Sequence, residues 1–172
     1  EAIRRVCEDF AKGERRALLV MATGTGKTRT IMALIDLMLR ANDIRRVCFV
    51  ADRDVLVKQA LNDGFKTFLP HEPNCRLRAY ETQTDKRLYV STLQTLGLCF
   101  NNYTAGFFDL IVFDEAHRSI FNQFREVVEY FDARIVGLTA TPAPFIDRNT
   151  FQVFHRFDGI PTYLYTYKQA ID

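Results

Sequence analysis

The chain has 172 residues and no apolar run long enough to span a bilayer; the longest, Ile31 to Leu39, is interrupted by Asp36. The stretch Glu1 to Phe10 is charged and amphipathic, which is not the pattern of a signal peptide, so neither a membrane anchor nor a leader is expected. Cysteine is sparse. Cys7, Cys48, Cys75 and Cys99 are scattered, and no pair has the two-residue spacing of a zinc knuckle or redox motif, so a reducing compartment, the cytoplasm, is expected. His71 and Cys75 make half of a metal site that no second pair completes, and the Pro and Asn between them read as an exposed turn. A dominant charge of one sign is also missing. With 23 Lys and Arg against 21 Asp and Glu the formal charge is +2, which neither excludes DNA nor argues for it, because a protein gripping nucleic acid across a whole face is far more basic. There is no internal repeat or low-complexity segment, and at roughly 150 residues per domain the length holds one globular domain. The chain opens on Glu1 rather than Met and is expected to be a processed form or a fragment of something longer.

The pattern that is present is an alternation of two periods. Ile3, Val6, Cys7 and Phe10 fall at i, i+3, i+4 and i+7, a short helix ending near Lys12 and Gly13. Ala17 to Met21 is a continuous apolar run, and a helix follows with Ile31, Leu34, Ile35 and Met38 on its buried stripe. Val47 to Ala51 predicts the next strand, with a helix through Leu56, Ala60 and Leu61 that stops at Asn62-Asp63-Gly64. Further strands are predicted at Arg76 to Tyr80, Leu88 to Ser91, Leu110 to Phe113 and Ile135 to Leu138, with a helix carrying Ile120, Phe124, Val127, Val128 and Phe131 before the last. Apolar strands alternating with helices predict an α/β fold, a mostly parallel sheet with helices on both faces. Ligands bind such sheets at the carboxyl ends of the strands.

Two polar segments are predicted at those ends. In Ala22-Thr23-Gly24-Thr25-Gly26-Lys27-Thr28, Gly24 and Gly26 permit positive φ and turn backbone N–H groups inward, while the helix starting near Lys27 adds its positive end. A polyphosphate suits that field: ATP would lie along Gly24, Thr25 and Gly26, Lys27 would reach the β and γ phosphates, and Thr28 would ligate Mg²⁺. The strict phosphate-loop pattern asks for Gly where this chain has Met21, but the strand before and the helix after supply the required context. The second segment is Asp114-Glu115, at the end of an apolar strand. Asp114 is the expected partner of Mg²⁺, directly or through water, and Glu115 the group that orients and deprotonates the attacking water. A helix N-terminus also favours such acids, which is the plainer account of the pair.

Met21 to Thr28, Asp114-Glu115-Ala116-His117 and Leu138-Thr139-Ala140-Thr141-Pro142, in that order, resemble motifs I, II and III of superfamily 2 helicases and translocases. Val50-Ala51-Asp52-Arg53 with Gln59 resembles motif Ia, and Ser91-Thr92-Leu93-Gln94-Thr95 resembles motif Ib. The segments Asp114 to Ser119, Tyr130 to Ala133 and Phe145 to Phe151 look like the motor (R) subunit of type I restriction enzymes. The resemblance implies a RecA-like first lobe over residues 1–145 and an ATP-driven double-stranded DNA translocase, with a nuclease domain and a second RecA-like lobe flanking the segment and methyltransferase and specificity subunits as partners. It implies coupling roles for His117, Thr139 and Thr141, the threonines sensing the γ phosphate. It also implies DNA-backbone contacts at Arg53, Thr92 and Gln94, although Arg53 is equally placed to pair with Asp52 or Asp54 and Thr92 to cap a helix. A glutamine-bearing, adenine-reading segment is implied just upstream, yet Glu1 already lies in the first helix.

Residues 146–172 turn aromatic, and Tyr163, Tyr165 and Tyr167 alternating with Leu164 and Thr166 predict an edge strand that packs on the lobe or leads to the second one. Besides a restriction motor, three readings stay open: a general superfamily 2 DNA helicase, another phosphate-loop enzyme such as a small-molecule kinase, and a nucleotide-gated interaction module without turnover.

Overall fold

Each long strand places alternate residues in two separate cores. In β1 (Arg16–Met21), Ala17 and Leu19 enter one core while Leu18 and Val20 enter the other. The computed structural model describes residues 1–115, 121–141, 146 and 148–165. Within them the chain runs α1 (Ala2–Ala11), β1, α2 (Lys27–Arg40), β2 (Val47–Ala51), α3 (Asp54–Gln59), α4 (Lys66–Phe68), β3 (Asn74–Arg76), β4 (Leu88–Thr92), α5 (Leu93–Cys99), β5 (Leu110–Asp114), α6 (Phe121–Tyr130), β6 (Arg134–Thr139), α7 (Arg148–Val153) and β7 (Tyr163–Tyr165). The strands form one seven-stranded sheet in the order β3-β4-β2-β5-β6-β1-β7, parallel at every pairing. The helices α1 and α2 cover one face, and α5, α6 and α7 the other. Burial on both sides is why the strands read as nearly unbroken apolar runs. All four cysteines are free thiols.

The first helix ends as its pattern predicts, at Lys12, with Gly13 at φ +93°. The helix after β2 does not stop at Asn62-Asp63-Gly64. It widens into a π-helical segment, Ala60–Phe65, and continues to Phe68. Gly64 is there for close approach rather than for capping: a β-carbon on it would lie 2.7 Å from the Met32 Cε of α2. The strand expected over Arg76 to Tyr80 is displaced toward the N-terminus, to Asn74–Arg76. After Leu77 N donates to the Val90 carbonyl the chain turns away, with Arg78 and Glu81 bridged and Tyr80 98% exposed.

The aromatic tail is tied to β1. β7 is an edge strand paired with β1, and Ala22 N donates to the Tyr165 carbonyl at 3.2 Å. Leu18 N donates to Thr162 Oγ1 at 3.1 Å, Arg16 donates to the Val153 carbonyl at 2.6 Å, and Arg156 pairs with Asp9. Tyr167 and Thr166, also read as part of that strand, lie outside the described residues.

Gly137, in the middle of β6, makes room for the fully buried Phe154 ring, whose Cζ would be 2.4 Å from a β-carbon at that position. Gly137→Ala therefore overpacks the second core and is expected to cost about 1–3 kcal/mol in chemical denaturation, with part of the loss recovered when Phe154 is shortened to Leu.

Candidate nucleotide site

The loop after β1 turns on two left-handed glycines, Gly24 at φ +79° and Gly26 at φ +87°, a backbone that only glycine adopts without strain. Gly26 is the N-cap of α2, so the free N–H groups of the first turn face the same hollow. Thr25 pins the loop by donating its hydroxyl to the Ala22 carbonyl at 2.6 Å. Lys27 and Thr28 open α2, with Thr28 exposed to solvent.

β5 delivers Asp114 and Glu115 to the same edge. β6 alone separates β5 from β1, with Leu138 opposite Asp114 on one side and Leu19 on the other. Lys27 Nζ donates to Glu115 Oε1 at 2.9 Å, joining the two loops, and the side chains are only 16% and 20% exposed. Glu115 takes left-handed backbone at φ +55°, a conformation that costs a residue with a β-carbon on the order of 1 kcal/mol. Its N–H donates to Asp114 Oδ1 at 3.1 Å. Asp114 is mostly buried, and desolvation holds its carboxyl above the usual range; nearby Lys27 opposes that shift, while Glu115 and Asp52 add to it. A site that resists an isolated carboxylate charge at Asp114 is one in which a cation is favourable.

Thr139 is fully buried at the end of β6, opposite Val20, and accepts from the Thr141 N–H at 3.1 Å. Thr141 lines a cavity of about 530 Å³ with Thr23, Asp52, Arg53, Leu56 and Glu115. The structure thus brings together Gly24, Thr25, Gly26, Lys27, Thr28, Asp114, Glu115, Thr139 and Thr141 at one edge of the sheet. His117 lies outside the described residues. The remaining candidates flank this group. Ala51 is in register with Thr92, so the loops after β2 and β4 share the edge. Arg53 is exposed, its Nε 3.7 Å from Asp52 Oδ2, and Gln94 is exposed in the first turn of α5. Thr92 caps that helix, accepting from Thr95 N at 3.1 Å. Asp52, read from the sequence only as part of the motif Ia segment and as a partner for Arg53, also lines this cavity. The rule that picked out Asp114, an acid directly after an apolar strand, also selects it.

The sequence of residues 1–144 matches the family described as "Type III restriction enzyme, res subunit" (ResIII). The chain belongs to this family. Among curated relatives it is 34% identical over its full length to the type I restriction enzyme EcoAI endonuclease subunit of Escherichia coli, of which it spans 22%. Among solved structures, a fragment described as an HsdR subunit of a type I restriction enzyme from Vibrio vulnificus YJ016 superposes over 99% of the chain and 30% of its own, with TM-score 0.72 and 30% identity. The Sulfolobus solfataricus SWI2/SNF2 ATPase core in complex with double-stranded DNA matches over 88% of the chain and 34% of its own, with TM-score 0.70. At 18% identity that likeness speaks for the fold, which is the RecA-like helicase lobe. This ResIII chain therefore spans roughly a fifth of the curated relative's length.

Capping and DNA contact at Thr92 are separable. Thr92→Ala is expected to cost about 1 kcal/mol of stability and Thr92→Ser almost none, by denaturant titration. A DNA role would appear as weakened binding by Thr92→Asp, which keeps a capping acceptor and so the stability but presents a carboxylate to the DNA phosphate.

Proposed function

We propose that this chain is the ATP-binding first motor lobe of an ATP-dependent double-stranded DNA translocase, the motor subunit of a type I restriction enzyme. The observation that carries the reading is the Lys27–Glu115 contact, which joins the phosphate loop to the acidic strand end across β6. The HsdR and EcoAI likenesses over nearly the whole chain support the restriction assignment. A second RecA-like lobe, a nuclease domain, and methyltransferase and specificity subunits would be the partners, with the cytoplasm as the working compartment. No described helix is long and apolar enough to cross a membrane.

The residues fit Mg-ATP. The space where β-carbons of Gly24 and Gly26 would stand is open to 4 Å, a cradle free for phosphate oxygens. Thr28 and Asp114 offer the hard oxygens that Mg²⁺ prefers, and one or two such ligands suffice beside phosphate and water. When bound, Mg²⁺ would neutralise charge on the β and γ oxygens.

The chain's own groups then divide the work. Lys27 exchanges a carboxylate partner for a phosphate one, so the buried ammonium is never left without an anion. That exchange releases Glu115, whose carboxylate accepts the proton of the attacking water. Thr139 accepts from the Thr141 N–H, fixing the loop that lines the cavity, from which the threonines would sense the γ phosphate. Arg53 and Gln94 are exposed on the same edge, suited to sugar-phosphate contacts without sequence readout, and half-buried Thr92 lies between them with its hydroxyl on Thr95. Arginines from the second lobe would supply the remaining charge stabilisation, so the isolated chain binds nucleotide better than it hydrolyses it.

Calorimetry on this chain tests the binding half: Lys27→Ala should weaken Mg-ATP by about 10- to 100-fold. In the complete protein, Glu115→Gln should lower DNA-stimulated hydrolysis by about 10²- to 10⁴-fold while nucleotide affinity is kept. A nucleotide-gated module would keep its function in that variant, and nucleotide-independent movement on DNA would overturn the motor reading.

A further inference from the structure

Asp52 directly follows β2, the neighbour of β5, and stands at the same sheet edge as Asp114. Its two carboxylate oxygens differ in environment. Oδ1 is buried and has no hydrogen-bond partner among the described residues. Oδ2 lies 3.7 Å from Arg53 Nε, too far for a good hydrogen bond, and the Arg53 side chain is 67% exposed. A buried carboxylate oxygen without a donor is an energetic cost, so a nearby placement that supplies one is favoured. The contact on the other oxygen is with Arg53, and an ion pair that long and exposed is weak and readily surrendered to a phosphate. Asp52 and Arg53 also line the cavity that holds Thr23, Glu115 and Thr141.

We propose that Asp52 is a positioning residue that couples DNA occupancy to hydrolysis. Without DNA, the Arg53 guanidinium biases the carboxylate toward its present, under-bonded placement, and only slightly. When a DNA phosphate takes Arg53, the carboxylate is released and turns into the cavity, where it accepts a hydrogen bond from site water and orders it beside Glu115. The side chain is thus a two-state element, biased from one side by DNA and acting on the other at the nucleotide. This inference rests on the motor reading above and adds to it a named route from the DNA-facing surface to the hydrolytic cavity.

The test is steady-state hydrolysis by the complete protein with and without duplex DNA. Asp52→Asn, nearly isosteric, should lower the ratio of DNA-stimulated to DNA-free kcat by about tenfold, a typical coupling magnitude, while KM for ATP and DNA affinity stay within about threefold. Asp52→Glu should restore part of the stimulation. Arg53→Gln should weaken DNA binding, and at saturating DNA the double variant should match Asp52→Asn rather than multiply the two losses. An undiminished stimulation ratio in Asp52→Asn, multiplicative losses in the double variant, or a joint fall of KM, DNA affinity and thermal stability in Asp52→Asn would each overturn the proposal. Failure of the motor reading shows separately, as movement on DNA without nucleotide or as function retained in Glu115→Gln.

Discussion

The arrangement of the site depends on one buried ion pair, Lys27 with Glu115, between loops 88 residues apart in sequence. Each group offsets part of the desolvation of the other. Each side chain is about four-fifths buried, and breaking such a pair by removing one partner typically costs about 3–5 kcal/mol because the other is left desolvated. The pair is therefore less a source of stability than a way of placing both groups at the site, and under the proposed function Lys27 would exchange Glu115 for a phosphate. That exchange needs both loops on one edge of the sheet, which follows from every strand pairing being parallel.

Much of this was legible in the chain because the relevant signals are local. The phosphate loop is a short glycine-bearing segment between an apolar run and an amphipathic stripe, and its physics is contained in those residues. Asp114 and Glu115 were legible for a related reason: an apolar run that ends in acids is a buried strand reaching the surface. Val47–Ala51 and the strand beginning at Leu88 were read correctly in place because burial on both faces leaves almost no polar residue to confuse the period.

What escaped the sequence depends on distant contacts. Gly64 looked like a helix stop, but its role is set by Met32, a residue 32 positions away on another helix. Gly137 gave no sign that the Phe154 ring would occupy its missing side chain. The left-handed backbone of Glu115 has no composition signature, since the strain is justified only by where Lys27 stands. Thr92 was readable as a cap or a DNA contact, and geometry shows the cap without bearing on the other role.

The strand bearing the phosphate loop is held from both sides, and the two sides differ in kind. β6 brings β1 within reach of the acidic strand end, while β7 is a short edge strand from the aromatic tail. Ala22, the first residue beyond β1, donates its N–H to the Tyr165 carbonyl, and its own carbonyl receives the Thr25 hydroxyl. Two hydrogen bonds in series thus connect Tyr165 to the phosphate loop. A displacement of Tyr165 along its strand must either break the first bond or carry Ala22 with it, and Thr25 follows Ala22. The parallel sheet therefore does more than place two loops side by side. It also ties the loop after β1 to a strand contributed by the far end of the described chain.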